Sequence, residues 1–495
     1  MTAKAVALCR DEDVVAVASS HAPSVARNTL VQSLVGVLSR AVGLLFTVLI
    51  ARRLGDESLG AYRFALTFVS YFGIVAAFGL GPFLVREMAA DLRNAGHVFA
   101  VVSVVRLALA ALCVVAVLGA LPLLGYSSQV NLLVVVLAVT IVTGTLVDTN
   151  VNTFYAFQRM ELGLYVLLAG SLLYLGLGWL ALDAVGALGV AVAAVLAATV
   201  QCIVGIYLIN KYLFRVRIEL NWKYQATVIT AGSPFFVGGM ASFFNDKVDV
   251  FLLSQLSTFQ VIGWYSAAYL LLDLAKIAPG ALSSAIYPTL AASCRSARQE
   301  FDKSSRSGVR VVLLITCLMP AVFVPASQEI LRFLFGVKFD NATVALQVLM
   351  GTIVFYGLNL ILGSAILAAE GQRPLMVVNF LILAVNLGLN LWLIPSYAHL
   401  GASVATIGSY AIGTMLHLVL ARRLGISSGL PLAVLRPGLA AVAGAAVTSL
   451  LLHVYWILAV VGGSAVYVII LWALHEIGPD DIRLARSLLA TRTVS

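Results

Sequence analysis

Charge is what this 495-residue chain has least of: 11% of its residues are Asp, Glu, Lys or Arg, against about 25% in a soluble domain. With 61% hydrophobic residues and a mean hydropathy of +1.02, a water-soluble globular protein is excluded. Long hydrophilic segments are also missing. The longest, read as 211–225, 289–307 and 329–343, are too short to hold a soluble catalytic domain. The 5 cysteines, Cys9, Cys113, Cys202, Cys294 and Cys317, have no paired or metal-ligand spacing, so disulfides and a metal centre are not expected. No phosphate-binding glycine loop, zinc-protease helix or nucleophile elbow is present, and an enzyme is not expected. Near the start, Arg10-Asp11-Glu12-Asp13 precedes only a short apolar stretch, unlike a signal peptide.

What the chain does have is apolar length. A spanning helix needs about 20 residues, and fourteen such stretches run from 30–51 to 456–474. The reading is an all-α polytopic membrane protein. It divides into a tail at 1–28, a six-helix lobe at 29–213, a linker at 214–225, a second six-helix lobe at 226–424, two further helices at 425–477 and a tail at 478–495. Basic loops stay on the cytoplasmic side. With the N-terminus inside, 22 lysines and arginines fall in inner segments and only 4, Arg52, Arg53, Arg332 and Lys338, in outer ones. Both termini are therefore expected in the cytoplasm, with the protein in the plasma or inner membrane. The net charge of +9 is then an orientation signal and a match to anionic lipid headgroups, and nucleic acid need not be invoked.

The halves repeat. Leu59-Gly60-Ala61-Tyr62 opens the second span and Ile262-Gly263-Trp264-Tyr265 the eighth. Gln158-Arg159 follows the fourth span and Gln372-Arg373 the tenth, while Gly186-Ala187-Leu188-Gly189 and His399-Leu400-Gly401-Ala402 enter the sixth and twelfth. A six-span repeat returns to the same membrane face, so the copies are parallel, with a site expected between them.

Several charges are stranded inside these spans, where each costs about 2.5–3.5 kcal/mol unless it faces water or a partner. Arg40, Arg63, Arg106, Asp148, Asp246, Lys247, Asp249, Asp273 and Lys276 form this set. Positions three, four or seven apart share a helix face. Arg40 centres a stripe with Ser33, Gly36, Gly43 and Thr47; Asp148 shares a face with Thr145, Asn152 and Tyr155; Asn245, Asp246 and Asp249 form a third stripe with Ser242, from which Lys247 points away. Ser266, Tyr269, Asp273 and Lys276 form a fourth, and Asn379, Asn386 and Asn390 a fifth. These are the candidate cavity residues. For each, a plainer reading stands beside the cavity reading. Arg40 sits on a seam of small residues and can pair locally, Arg63 and Arg106 can snorkel, Asp273 and Lys276 can neutralise one another, and the asparagines can join helices. Pro234 in the seventh span and Pro279 in the eighth are expected to kink or loosen the helices beside these charges.

Leu38-Ser39-Arg40-Ala41-Val42-Gly43, running to Ala51-Arg52-Arg53-Leu54-Gly55, resembles the first helix of the polysaccharide and lipid-linked oligosaccharide flippases of the MOP exporter superfamily. Asn245-Asp246-Lys247-Val248-Asp249 through Gly263-Trp264-Tyr265-Ser266-Ala267-Ala268-Tyr269 resembles their seventh and eighth helices. The resemblance covers residues 27–424. It implies an exporter that turns a polyprenyl-pyrophosphate-linked glycan from the inner to the outer leaflet by alternating access. Membrane lipids are its surroundings, and a glycan polymerase or glycosyltransferase is an expected associate. Arg40 matches a cationic cavity position of the peptidoglycan-precursor flippases. Their second arginine, two turns on, is Phe46 here, which points toward a surface-polysaccharide or glycoprotein precursor. The last two spans are similar to the pair that holds a lipid tail in those flippases. No cofactor is expected; sodium or proton coupling would fall to Asp148, Asp246, Asp249 or Asp273, which otherwise only offset the cations. A cation-coupled multidrug antiporter and a membrane glycan polymerase or ligase are the rival readings.

Overall fold

The computed structural model describes residues 42–216, 222–296, 298–427 and 430–476. Both tails, and Arg40 with the first half of its motif, lie outside the described residues. The first helix is described over 42–54 (α1). There follow α2 (Asp56–Ala77), α3 (Leu80–Ala90), α4 (Ala95–Leu124), α5 (Ser128–Ala156), α6 (Met160–Val185) and α7 (Ala187–Tyr212). The second half holds α8 (Trp222–Leu256), α9 (Phe259–Ala275), α10 (Ile277–Ser296), α11 (Arg298–Phe323), α12 (Ser327–Phe335), α13 (Thr343–Glu370) and α14 (Gln372–Arg423), followed by α15 (Leu430–Leu451) and α16 (Trp456–Ala473).

Twelve helical stretches are long and apolar enough to cross a membrane. One of them, α14, has 52 residues, about 78 Å at 1.5 Å per residue, and so must cross twice. Its reversal falls at Ala398, where φ is 47° and ψ −125°. Counted twice, α14 brings the described residues to thirteen spans, and the first of the fourteen expected spans is described only over 42–54. The second span is α2 plus α3, jointed at Phe78 and Gly79, both left-handed with φ of 46° and 63°. The eighth is α9 plus α10, jointed at Lys276. Pro279 lacks the N–H that would bond the carbonyl one turn back, which accounts for the second joint. Pro234, by contrast, sits inside an uninterrupted α8.

Segment 289–307, expected to be a hydrophilic connection, is largely helix, and the ninth span starts at Arg298 instead of 308. The helix continues past the apolar stretch because its charged face is tied down: Arg298 Nη2 donates to the Leu424 carbonyl at 3.0 Å and Arg306 Nε to Ser427 Oγ at 2.9 Å. Segment 329–343 likewise carries α12 and a 3-10 turn, Val337–Ala342.

The helices form two lobes, α1–α7 and α8–α14, with α15 and α16 set against α11. Tyr467 of α16 donates to the Leu314 carbonyl at 2.8 Å. At the end bearing the α8–α9 turn the lobes share one hydrophobic core, which includes Leu59 and Phe64 from the first and Ile262, Tyr265 and Leu346 from the second. At the opposite end each keeps its own, around Phe99 and Phe154 in one and Val309 and Ile361 in the other. The start of α8, through Tyr224, Val228 and Ala231, reaches across there.

Candidate functional site

The shared end is closed by the repeat itself. A Cβ on Gly60 would lie 1.7 Å from the Phe259 carbonyl oxygen, and one on Gly263 would lie 2.0 Å from that of Asp56. Asp56 and Phe259 each precede their glycine by one turn, so equivalent residues of the two lobes meet backbone to backbone. Glycine is required at both, since any side chain would drive the helices apart. Polar bonds surround the crossing. Asp56 Oδ2 accepts from Trp264 Nε1 and from Gln260 Nε2, each at 2.9 Å, and Arg52 Nε caps the end of α12 through the Leu334 carbonyl at 2.7 Å. The opposite end is more lightly joined: Phe78 stacks on Phe236, centroids 4.7 Å apart, and the α2–α3 joint at Gly79 abuts the Phe235–Phe236 backbone.

Between these ends lie two polar groups, one in each lobe. In the first lobe, Arg106 leaves α4 and is completely covered, its side chain 1% exposed. Its Nη1 donates to Asp148 Oδ2 at 2.7 Å and Thr149 Oγ1 at 2.8 Å, both on α5. Snorkelling is thereby excluded for Arg106. Asn152 Nδ2 turns back to the Asp148 carbonyl at 2.8 Å. Arg106, Asp148 and Asn152 border a cavity of about 260 Å³ against Phe235 and Phe236 of α8. Arg63, part-buried on α2, borders neither this cavity nor the one described below.

In the second lobe the break at Lys276 turns that side chain inward, where it is 9% exposed. Its Nζ lies 3.3 Å from Asp246 Oδ1, 3.6 Å from Asp273 Oδ1 and 3.1 Å from the Tyr269 hydroxyl. Three rings face it: Tyr269, Tyr356 and Tyr410, with centroids 4.8, 5.3 and 5.9 Å away. A cation over aromatic faces is held without a fixed hydrogen-bond geometry. Tyr410 also donates to Asp246 Oδ1 at 2.7 Å. Lys247 does not point away from this group as its helical position suggested. Its long stem brings Nζ to 3.8 Å from Asp273 and over the Tyr269 ring at 5.2 Å, because α9 lies on that side of α8. Asp273, 36% exposed, thus stands between two ammonium groups. The Tyr71 hydroxyl of the first lobe donates to the Lys247 carbonyl, which ties the cluster to the lobe boundary.

Asp249 is separate: it is buried, accepts from the Tyr265 hydroxyl and has no cation in ion-pair range among the described residues. Tyr265 approaches Thr406 Oγ1 at 3.4 Å. On the same helix Ser409 takes the Asn386 amide at 3.0 Å, and Asn390 Nδ2 bonds Asn386 Oδ1 at 3.0 Å. Asn386 therefore joins the two halves of α14, with Asn390 bonded to it from the same half; neither lines either cavity, and Asn390 Oδ1 is left without a partner. Asn245 and Asp246 do line the larger cavity, of about 310 Å³, enclosed by α8, α13 and α14.

Sequence reasoning passed over Tyr356, Asn359, Tyr410 and His417, all of which border that cavity. The signal was available for the last two: Thr406, Tyr410, Thr414 and His417 recur at helical spacing along α14. Phe46, where the peptidoglycan-precursor flippases carry arginine, is buried and stacks on Tyr174 with centroids 4.1 Å apart.

A bundle of two parallel lobes, fused at one end and more lightly joined at the other, with charges held between, is the architecture of a membrane transporter. The chain matches the family described as polysaccharide biosynthesis protein over residues 25–293 and that described as lipid II flippase MurJ over residues 183–475. Each match takes in more than half of the chain, and it belongs to this family of flippases within the MOP superfamily. The second match reaches beyond residue 424 to include α15 and α16.

Among solved structures it is similar to a lipid II flippase MurJ in an inward closed conformation (TM-score 0.78, 16% identity, 90% of this chain and 98% of that one). It is also similar to an inward-facing multidrug resistance transporter of the MATE family (TM-score 0.66, 14% identity, 78% and 95%). A curated relative from Haloferax volcanii, a probable low-salt glycan biosynthesis flippase Agl15, is 26% identical over 184 residues. That stretch is 37% of this chain and 39% of the relative.

Proposed function

We propose that the protein exports a polyprenyl-pyrophosphate-linked glycan, a surface-polysaccharide or glycoprotein precursor, from the inner to the outer leaflet. The observation that carries this is the Lys247–Asp273–Lys276 arrangement. Two ammonium groups flank the part-exposed carboxylate of Asp273, and Lys276 also faces Asp246 at 3.3 Å, so a diphosphate that displaced Asp273 would meet both lysines. Charge-assisted bonds to phosphate are among the strongest available in a partly dry site. The family and the relative named for glycan biosynthesis support the same cargo class. A cationic drug needs an accessible, uncommitted carboxylate, yet Asp148, Asp246 and Asp273 each already face a cation, and Asp249, which faces none, is fully buried against Tyr265 and borders neither cavity, which disfavours the antiporter reading.

In this mechanism the glycan headgroup enters while the lobes are parted, the lysines exchange Asp273 for the pyrophosphate, and the polyprenyl tail stays in lipid. Rocking about the lobe boundary then opens the end sealed at Gly60 and Gly263. With both termini cytoplasmic, each negative charge moved outward gains about 2.3 kcal/mol per 100 mV of inside-negative potential. Asp249, with Tyr265, Thr406 and the unpartnered Asn390 Oδ1 along one chain of contacts, is our candidate for sodium or proton coupling. Arg40 keeps the cavity role that its motif implies.

The test is flipping of undecaprenyl-pyrophosphoryl N-acetylglucosamine in proteoliposomes. Replacing both lysines (Lys247→Gln with Lys276→Gln) is expected to cut the rate at least about tenfold, or 1.4 kcal/mol. Arg40→Ala is expected to abolish it and Arg40→Lys to restore it in part, since lysine keeps the charge and loses the planar fork. Undiminished flipping by the double variant would overturn the lysine assignment.

A further inference from the structure

The polar cavity of the second lobe has a composition that pyrophosphate binding does not require. It opens beside the lysine cluster, because Asp246 and Tyr410 belong to both. From there it runs between α8, α13 and α14 toward the Gly371 turn, as Leu367 and Leu375 on either side of that turn line its far part. Apart from Asp246 its polar lining is uncharged: hydroxyls, amides and one imidazole.

Several of these groups are already used. Asn359 donates to the Tyr410 carbonyl at 3.1 Å and accepts from Thr414 at 2.8 Å, and Ser364 bonds Ser283 at 2.8 Å. Others are not. Asn245 Oδ1 is buried without a partner. His417, 2% exposed, has its Nδ1 bonded to the Gly413 carbonyl at 2.8 Å. That bond makes Nδ1 the protonated nitrogen and leaves the Nε2 lone pair free to accept. Asn379 and Ser242 also border the cavity. A buried polar atom without a partner costs about 1–3 kcal/mol; Asn245 Oδ1 and His417 Nε2, both on residues lining this cavity, are two acceptors that a ligand carrying hydroxyl or amide donors would satisfy. Alternation with Leu360, Leu367, Leu375 and Ile382 on the same walls fits a ring with polar edges and apolar faces. A volume of about 310 Å³ is at the small end of ligand pockets, roughly 300–1,000 Å³.

We infer that this cavity is a sugar subsite, taking the pyranose ring attached to the pyrophosphate, with Asn379, Asn245, Ser242 and His417 reading its hydroxyl or acetamido groups. The inference rests on the lysine-clamp reading above and adds selectivity for the first sugar of the cargo. Asn379 and Ser242 are specificity-determining positions on this view, while Lys247 and Lys276 hold the charge common to every cargo.

The experiment measures binding by the purified full-length protein of two probes, undecaprenyl pyrophosphate and undecaprenyl-pyrophosphoryl N-acetylglucosamine. Wild type is expected to prefer the sugar-bearing probe about tenfold. Asn379→Leu, which keeps the volume and removes the amide, is expected to reduce that preference below about threefold without changing affinity for the bare pyrophosphate. Ser242→Ala, the milder change, is expected to reduce it in the same direction and serves if the first variant does not fold. Equal binding of both probes by wild type, or an unchanged preference in the variants, overturns the sugar subsite and leaves the lysine clamp standing. Binding of neither probe, or undiminished binding of the bare pyrophosphate by the double lysine variant, overturns the clamp and the subsite with it.

Discussion

The two buried charge groups solve the same problem in opposite ways. Arg106 is fixed through one nitrogen, Nη1, to Asp148 and Thr149 at 2.7 and 2.8 Å. Lys276 and Lys247 are held by ring faces and by carboxylates at 3.3 to 3.8 Å. Arginine with short, directed bonds makes a strut between α4 and α5. Ammonium groups on flexible stems, at longer distances, can exchange one anion for another. The difference separates a charge that shapes a lobe from charges available to cargo.

That contrast is open to measurement. The largest effect is expected from Arg106→Ala, which empties a fully covered site between α4 and α5 while Asp148, half exposed, stays hydrated; the void should cost about 2–5 kcal/mol of stability. Thermal unfolding of the purified protein reads it, and a melting temperature unchanged from wild type would show that the pair is no strut. Asp273→Asn should act differently, keeping the fold while easing displacement of the side chain from the lysines. Affinity for undecaprenyl pyrophosphate is expected to rise about three- to tenfold, and weakened binding would mean that Asp273 organises the clamp and does not compete with cargo. Asp56→Asn is the smallest change, removing charge from two hydrogen bonds, each worth about 1 kcal/mol. Labelling of a cysteine introduced near the Gly60–Gly263 crossing should become severalfold faster, and unchanged labelling would locate the seal in the glycine contact alone.

Much of the fold was legible because bilayer thickness fixes span length and hydropathy marks the spans. Less was legible at the site, for reasons particular to each residue. The partner of Arg106 lies 42 positions away on a neighbouring helix, and helical periodicity describes one helix at a time. Lys247 was misplaced for the same reason: its direction was judged from α8 alone, whereas its length and the position of α9 decide where the charge goes. Asn386 and Asn390 share a face as expected, but that face meets the other half of α14. The repeat was visible as two similar tetrapeptides; that their glycines touch requires the lobes to be seen together.

In the proposed mechanism that glycine contact would also serve as the fulcrum of inward opening. It is the tightest point between the lobes and lies at one end of helices that continue across the membrane. With about 30 Å of bilayer core beyond the pivot, a rotation of about 10° there displaces the far end by about 5 Å, on the order of one helical pitch. The Phe78–Phe236 stack is at that far end, where the lever arm is longest. That stack and the backbone contact at Gly79 are what oppose such leverage there.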